Sequence, residues 1–202
     1  MISRQIVEKI IDLYCKEELS MAQVADKLHI SATSVQTYLI RENIKRRSIS
    51  DGVNSSYFTR FHKQAYKLKD NLTDKQNQLK VAGIMLYWGE GTKGNGSVRF
   101  ANSDPDMIKL FLVFLRTVCG IHEDRLTALI HYYPDQDIVD LRKFWISITH
   151  IHEKRFNREY MHIGKTGTYK KKSVYGTLAL SYCDKKLLNQ LVSWIDEYRK
   201  MV

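Results

Sequence analysis

The chain has 202 residues, 44% of them apolar, so it can bury a core and is not expected to be disordered. Its 32 Lys and Arg outnumber 22 Asp and Glu, and the formal charge of +10 makes polyanions the first partners to consider. Cys15, Cys119 and Cys183 form no CxxC or Cys/His ligand pattern, so we expect no disulfide framework, no structural zinc and a reducing compartment.

The N-terminal segment is polar by residue 3, and no apolar run approaches the roughly 18 residues of a membrane span. We therefore expect no signal peptide, no transmembrane segment and no membrane partner. A cytoplasmic location is predicted.

Three short helices are predicted in the first fifty residues. Apolar residues recur at helical spacing from Ile6, which indicates an amphipathic helix of roughly three turns. Ser20, with Gln23 three residues later, has the capping-box pattern of a second helix, and Ser31 caps a third. Residues 1–47 are therefore predicted to form a trihelical helix-turn-helix domain.

The exposed face of the third predicted helix carries small and amide side chains, which can enter a DNA major groove. Gln36 is suited to pair with adenine, and the cationic cluster after the helix to meet phosphates or the adjacent minor groove. The predicted DNA-binding residues are Ser31, Thr33, Gln36, Thr37, Arg41, Lys45, Arg46 and Arg47. The alternative is a helical hairpin that packs internally or binds protein.

The segment from Ser20 to Ser48 resembles the helix-turn-helix of the Hin and resolvase recombinases. SMAQVADKLHISATSVQTYL matches the pattern of small and apolar positions in that family. The following residues, 48–77, are predicted to be a basic linker and helix, because SISDGVNSSY has no apolar periodicity and a weak helical stripe begins at Tyr57. The cations of this linker either follow a DNA backbone or form a solvated helix face.

The most informative stretch is an almost wholly apolar helix, Leu79 to Trp88, that runs into Gly89-Glu90-Gly91. The negative end of the helix dipole disfavours Glu90 unless a cation or a basic partner compensates its charge. The flanking glycines allow close backbone approach, as at a tight helix pair or a metal site built from carbonyl and carboxylate oxygens.

Residues 83–91, GIMLYWGEG, resemble the LAGLIDADG motif of homing endonucleases and their non-cleaving relatives. Paired motif helices form the domain interface in that family, and their last acidic residues hold the catalytic metals. Because this chain has one motif, the resemblance implies a homodimer through the 79–91 helix, with two copies of Glu90 at the two-fold axis. It also implies Mg²⁺-dependent phosphodiester hydrolysis, with Glu90 and Gly89 as metal ligands and Glu90 and Lys93 as catalytic residues.

The predicted order of elements after the motif is similar to the αββαββα saddle of that family. It comprises a strand at 98–103, a helix from Asp104-Pro105 to Gly120, a strand at 126–133, a helix at 137–148, a strand near 175–182 and a helix at 185–200. The helix at 137–148 is an apparent insertion. The predicted fold is therefore α+β, a trihelical helix-turn-helix followed by a LAGLIDADG-like saddle domain over residues 78–202.

A second basic region spans residues 150–175. Alternation of Arg158, Tyr160 and His162, followed by a loop from Gly164 to Lys172, predicts a long hairpin on a DNA-facing sheet, with a disordered basic loop as the alternative. The predicted DNA-binding residues here and in the preceding strands are Arg99, Arg158, Lys165, Lys170, Lys171 and Lys172. The histidines at 150, 152 and 162 are not interpreted as a metal cluster, because no cysteine or carboxylate lies at ligand spacing.

These features together predict a nucleoid-associated, sequence-selective double-stranded DNA-binding protein that is a divalent-metal-dependent endonuclease of the single-motif type. One alternative is a non-catalytic DNA-binding transcriptional regulator with the same fold. Another is a structured-RNA-binding protein, which charge and aromatic content alone suggest.

Overall fold

A computed structural model describes residues 2–61, 64–163 and 173–201. The chain divides into two compact units, Met1–Gln64 and Ala65–Val202. Within the described residues, the first unit contains four α-helices, and the second contains four α-helices and a five-stranded sheet. The predicted α+β class is confirmed at this level.

The first unit is built around a small core shared by three helices. Its elements are α1 (Arg4–Cys15), α2 (Met21–Leu28), α3 (Ala32–Arg41) and α4 (Ile49–Phe61). The buried core residues are Val7, Ile10, Leu13, Tyr14, Val24, Ala25, Val35 and Leu39. They recur at three- and four-residue spacing on α1 and α3, and on α2 the partly buried Leu28 continues the stripe of Val24 and Ala25, so each of these helices turns one apolar stripe inward.

Side-chain caps fix the turn between α2 and α3. Ser20 and Gln23 form the predicted capping box, with Gln23 Oε1 accepting from the Ser20 N–H at 2.8 Å. His29 ends α2 in the left-handed region at φ 53°, and the Ser31 hydroxyl accepts from the Ser34 N–H at 3.0 Å. The turn therefore occupies three residues, and both predicted caps are confirmed.

The prediction that SISDGVNSSY forms a linker was wrong, because α4 spans Ile49–Phe61. The signal that was missed is local. The Ser48 N–H donates to Asp51 Oδ2 at 3.1 Å, and the Asp51 N–H donates to the Ser48 hydroxyl at 3.2 Å, which is a reciprocal N-terminal cap. A helix that starts from a polar cap and lacks a strong apolar stripe has no periodicity to detect.

The second unit alternates helices with short strands. Its elements are α5 (Asp74–Glu90), β1 (Gly91–Thr92), β2 (Val98–Asn102), α6 (Pro105–Thr117), β3 (Leu126–Tyr132), α7 (Ile138–Thr149), β4 (Tyr160–Met161), β5 (Thr177–Tyr182) and α8 (Lys185–Arg199), with single 3₁₀ turns at Glu123–Arg125 and Glu153–Arg155. The sheet order is β1-β2-β5-β3-β4, and every pair is antiparallel except β3 and β4.

One face of this sheet forms the core, and no helix of the second unit covers the other face, here called the open face, within the described residues. Side chains on β2, β3 and β5 alternate between buried and less buried positions, as a sheet covered on one side requires. The buried positions are Val98, Phe100, Leu126, Ala128, Ile130, Leu178, Leu180 and Tyr182. Helices α5, α6 and α8 contact β2, and α7 contacts β3.

The predicted hairpin between the strand at Tyr160 and the last strand was wrong. β4 pairs in parallel with the outer edge of β3, with His131 opposite Tyr160. β5 already has β2 on one side and β3 on the other, so it has no edge left for β4. The α7 crossover between β3 and β4 allows the parallel pairing. The loop from Gly164 to Lys172 lies outside the described residues.

The segment that follows Gln64 belongs to the second unit. The Lys67 N–H donates to the Gly120 carbonyl at 3.0 Å, and the Lys69 N–H donates to the Val118 carbonyl at 2.9 Å. Gly120 has φ +58°, and a Cβ there would lie 2.0 Å from the Lys67 carbonyl oxygen. Only glycine permits this approach, so the turn that ends the predicted helix at Gly120 also holds residues 65–69.

Candidate functional site

The outward face of α3 presents the residues predicted to meet bases. Thr33, Gln36 and Thr37 are exposed, whereas Val35 and Leu39 are buried beneath them. The Thr37 hydroxyl donates to the Thr33 carbonyl at 2.9 Å, and the predicted contact residue Ser31 uses its hydroxyl as the helix cap. The Gln36 amide has no hydrogen-bond partner among the described residues, so both its donor and its acceptor face solvent.

Three of the four predicted cations after α3 are exposed. The Arg41 guanidinium carbon lies 5.4 Å from the centroid of the Tyr38 ring, which is a cation–π contact, and Arg41 remains exposed. Lys45 and Arg46 are exposed on the chain that leaves the helix. These three positive charges therefore lie at the C-terminal end of α3 and on the residues that follow it.

Arg47 is used inside the first unit. Its guanidinium donates to the Glu18 carbonyl at 2.8 Å and to the Leu19 carbonyl, and it lies 4.2 Å over the Tyr14 ring. Its backbone N–H donates to the Tyr14 hydroxyl at 2.9 Å. These contacts fix the chain leaving α3 against the turn between α1 and α2, so the Arg47 side chain has a structural role inside the first unit. The four cations lie within seven residues of the sequence, and nothing in the sequence distinguishes Arg47 from the other three.

The open face of the sheet has a floor of small side chains. The strand register aligns Arg99 with Ser181 and Thr127, and the next row aligns Ala101 with Ala179 and Leu129. Arg99 is exposed, and its Nε donates to the Ser97 hydroxyl at 3.1 Å. Few bulky groups stand on this part of the face, so a large ligand can approach the backbone closely.

A ring cluster, His131, Tyr133, Tyr160 and His162, stands at the β3–β4 edge of the same face. His131 Nδ1 and His162 Nε2 lie 3.1 Å apart, and the two rings meet edge to edge, with centroids 5.2 Å apart and planes 27° apart. Burial, and secondarily the neighbouring His162, lower the pKa of His131. The sequence did not predict that these rings lie together, because they are aligned by the β3–β4 pairing, which depends on the α7 crossover.

The predicted catalytic residues lie at the C-terminal end of α5. Glu90 is the last residue of the helix and is exposed, and it forms no ion pair within the described part of the chain. The ammonium group of Lys93 donates to the Trp88 carbonyl at 2.6 Å. Lys93 therefore caps the helix end here, where the last carbonyls lack partners within the helix.

Helix α5 is apolar on two sides. Gly83, Ile84 and Tyr87 face the core, and a Cβ added to Gly83 would lie 2.2 Å from the Phe114 ring. The outer side lines an open groove of about 550 Å³ between α5 and α6. The groove residues are Ala82, Met85, Leu86, Gly89, Glu90, Asp106, Met107 and Leu110. A helix with apolar residues all round normally has neighbours all round, so its outer side lacks a covering partner within the described residues.

Few metal ligands converge in the described residues, where no group of three or more His, Cys, Asp or Glu side chains could hold an ion. At the end of α5, one chain offers the Glu90 carboxylate and the Gly89 carbonyl, with Asp106 in the same groove. Mg²⁺ takes about six oxygen ligands but is commonly held by one or two carboxylates, with waters and substrate phosphates completing the shell. The residues of one chain therefore fit Mg²⁺ only in part.

The remaining predicted contacts are either exposed or not described. Arg158 is exposed just before β4. Lys165, Lys170, Lys171 and Lys172 lie outside the described residues. Of the cysteines, Cys119 is buried, whereas Cys15 and Cys183 are exposed.

Searches against protein-family models, curated proteins and solved structures found no significant match. The two resemblances noted from the sequence therefore remain predictions. Across the described residues, none of the helices has the length and apolar character that crossing a bilayer requires.

Proposed function

We propose that this chain is a sequence-selective double-stranded DNA-binding protein. The observation that carries the proposal is the outward face of α3, where Gln36 stands among small side chains and exposed cations follow directly. In this proposal α2 and α3 form a helix-turn-helix, and α3 is the recognition helix. The open sheet face of the second unit is a further DNA-contacting surface.

The chemistry of α3 suits the major groove. A Gln amide can donate to N7 and accept from the N6 amino group of adenine in a bidentate pair, and small neighbours such as Ala32 and Thr33 let the helix approach the base edges. Arg41, Lys45 and Arg46 then neutralise phosphates and set the register of the helix. On the second unit, Arg99 and Arg158 are exposed cations, and the four lysines of residues 165–172 add charge in sequence.

Gln36→Ala should relax base preference at one position of the preferred site by about 1–3 kcal/mol, because the amide is assigned to a base edge. Enrichment of randomised duplexes by the wild-type and variant proteins measures this directly. The matched control is Gln5→Ala, which removes an exposed amide from α1 of the same unit. An unchanged preference in Gln36→Ala removes Gln36 from base recognition, and failure of the wild-type protein to enrich any sequence contradicts the proposal as a whole.

The same proposal assigns the outer side of α5 to a second copy of the chain. Two α5 helices related by a two-fold axis would cover each other's apolar stripes, and Gly89, which has open space around it, allows close approach. Met85, 37% exposed at the centre of the stripe, becomes a buried contact. Met85→Glu should then give a monomer by light scattering, whereas Val113→Glu, at an apolar α6 position of similar exposure, should leave the dimer intact. The opposite pattern would place the interface elsewhere.

A second candidate function, a Mg²⁺-dependent DNA endonuclease, is favoured by the exposed Glu90 without an ion pair at the negative end of α5. Glu90 and the Gly89 carbonyl would hold the ion, together with Glu90 of the partner subunit and DNA phosphates. A divalent ion bound there lowers the pKa of its water and neutralises the leaving oxygen. The non-catalytic alternative is a DNA-binding regulator in which Glu90 only borders the dimer contact.

Glu90→Gln should abolish cleavage of enriched duplexes in Mg²⁺ while leaving their binding in EDTA unchanged. Glu197→Gln, an exposed glutamate on α8, is the matched control and should cleave like the wild type. Cleavage that persists in Glu90→Gln removes this residue from the reaction. Binding without any cleavage by the wild-type protein favours the regulator.

A further inference from the structure

The four residues of the ring cluster project from the open face of the sheet. Side chains alternate along a strand, and since Ala128 and Ile130 are buried, His131 and Tyr133 point to the open face. Tyr160 lies opposite His131 in the β3–β4 pair, so Tyr160 and His162, two residues on, share that face. Four rings from two strands therefore stand on a surface that the sheet leaves open.

The rings contact one another in several orientations. Tyr160 meets His162 edge-on, with centroids 4.8 Å apart, and His131 is tilted against Tyr160 at 5.7 Å. Tyr133 is tilted against His162 at 5.6 Å. These contacts order the rings in advance, which lowers the entropy that a planar ligand must remove on binding.

Space for a flat ligand adjoins the rings. Thr177 pairs with His131 across the β3–β5 register, and the next row pairs Ala179 with Leu129. Thr177 and Ala179 are small, so the ring faces stand higher than the β5 side of the sheet beside them. Tyr160 is 56% exposed, a large fraction for an aromatic residue that is ordered by its neighbours.

The histidine pair adds hydrogen-bonding capacity in the plane of the rings. His131 Nδ1 and His162 Nε2 lie 3.1 Å apart, so that one of these nitrogens can donate to the other. In either neutral tautomer, one outer ring nitrogen is then a donor and the other an acceptor. A nucleobase edge also combines donors and acceptors, so this pair matches it in both roles.

We propose that the ring cluster binds an unpaired nucleobase, by stacking on Tyr160 and by hydrogen bonding to the histidine pair. Aromatic side chains on an exposed sheet are a general platform for unstacked bases. The proposal rests on the proposed nucleic-acid function and deepens it. The unpaired base would come from an extrahelical position in a duplex or from a single strand.

The test uses the full chain and three fluorescein-labelled 25-nucleotide DNA probes: a paired duplex, the same duplex with one extrahelical 2-aminopurine, and the single strand that contains it. Anisotropy at fixed salt gives the affinities, and 2-aminopurine emission reports stacking directly. We expect the extrahelical probe to bind about 5- to 150-fold tighter than the paired duplex, with quenched emission.

Three variants separate ring chemistry from damage to the edge strand. Tyr160→Ala should remove the gain and the quenching, and Tyr160→Phe should retain both because the stacking surface remains. Met161→Ala is the matched control, since it removes a similarly exposed side chain from the opposite face of β4. If Met161→Ala loses the gain as fully as Tyr160→Ala, the ring is not the cause and the proposal is overturned.

The outcomes also separate this inference from the proposed function. Tight binding of the paired duplex without a gain or quenching for the extrahelical base overturns the ring site and leaves duplex recognition standing. Binding of the single strand alone, lost in Tyr160→Ala, supports the ring site and contradicts duplex recognition. Absence of binding to all three probes overturns both.

Discussion

Exchange of Arg41, Lys45 and Arg46 together for glutamine is expected to weaken duplex binding by about 10²- to 10³-fold at 0.1 M salt. Each phosphate contact releases roughly 0.9 counterions, so the slope of log K against log salt should fall by about 3. Affinities measured between roughly 50 and 200 mM NaCl give both quantities. Base preference should stay unchanged, because these cations are assigned to phosphates and Gln36 to the bases.

The control for this experiment has the same charge change in the same unit. Lys9, Lys16 and Lys27 are exposed on α1 and α2, and Lys16 and Lys27 form surface ion pairs with Asp12 and Glu17. Such pairs contribute little to stability, so the control triple variant should stay folded. Equal loss of affinity in both triple variants would mean that only net charge matters, and α3 would lose its assignment.

Gly83→Leu is expected to destabilise the second unit by about 3 kcal/mol, or about 10 °C in Tm. A Cβ at position 83 would lie 2.2 Å from the Phe114 ring, and that ring is fully buried between Phe111 and Trp194. The Phe114 ring cannot shift to make room without displacing Phe111 or Trp194, because the interior is close-packed. Thermal and urea unfolding followed by circular dichroism measure the loss.

Gly89→Ala is the matched control on the same helix. A Cβ there meets nothing within 4 Å in one chain, so when both substitutions are made in the Met85→Glu background, where no second copy is expected, Gly89→Ala should stabilise the helix by about 0.5–1 kcal/mol. If both substitutions stabilise, Gly83 does not pack against Phe114 as described. If both destabilise, glycine is needed along the helix for a reason other than this contact.

Local patterns were sufficient to predict most of the regular elements. The caps at Ser20 and Ser31 and the stripes of α1 to α3 depend on neighbours a few residues apart, and the structure contains all of them. The strand predicted at 126–133 is observed as β3, because alternation of burial is visible in its residues. The helix predicted from Leu79 begins earlier, at Asp74, where Thr73 forms a capping box with Gln76.

The pairing of strands and the partners of individual side chains could not be predicted in the same way. Whether β4 joins β3 or β5 depends on which edge is vacant, and a strand pattern does not contain that information. Arg47 looks like Arg46 in sequence, yet the carbonyls of Glu18 and Leu19 reach only one of them. The ring cluster was missed for the same reason, since its histidines are 31 residues apart and meet through the β3–β4 register.

The two outermost strands, β1 and β4, are each only two residues long. A longer edge strand would offer a row of unpaired backbone N–H and C=O groups to another chain, which is the usual route to amyloid-like stacking and domain swapping. Edge strands of two residues leave an incoming strand very few backbone groups with which to pair. Copies of this protein should therefore not associate through the edges of their sheets, and specific self-association would occur through the helices.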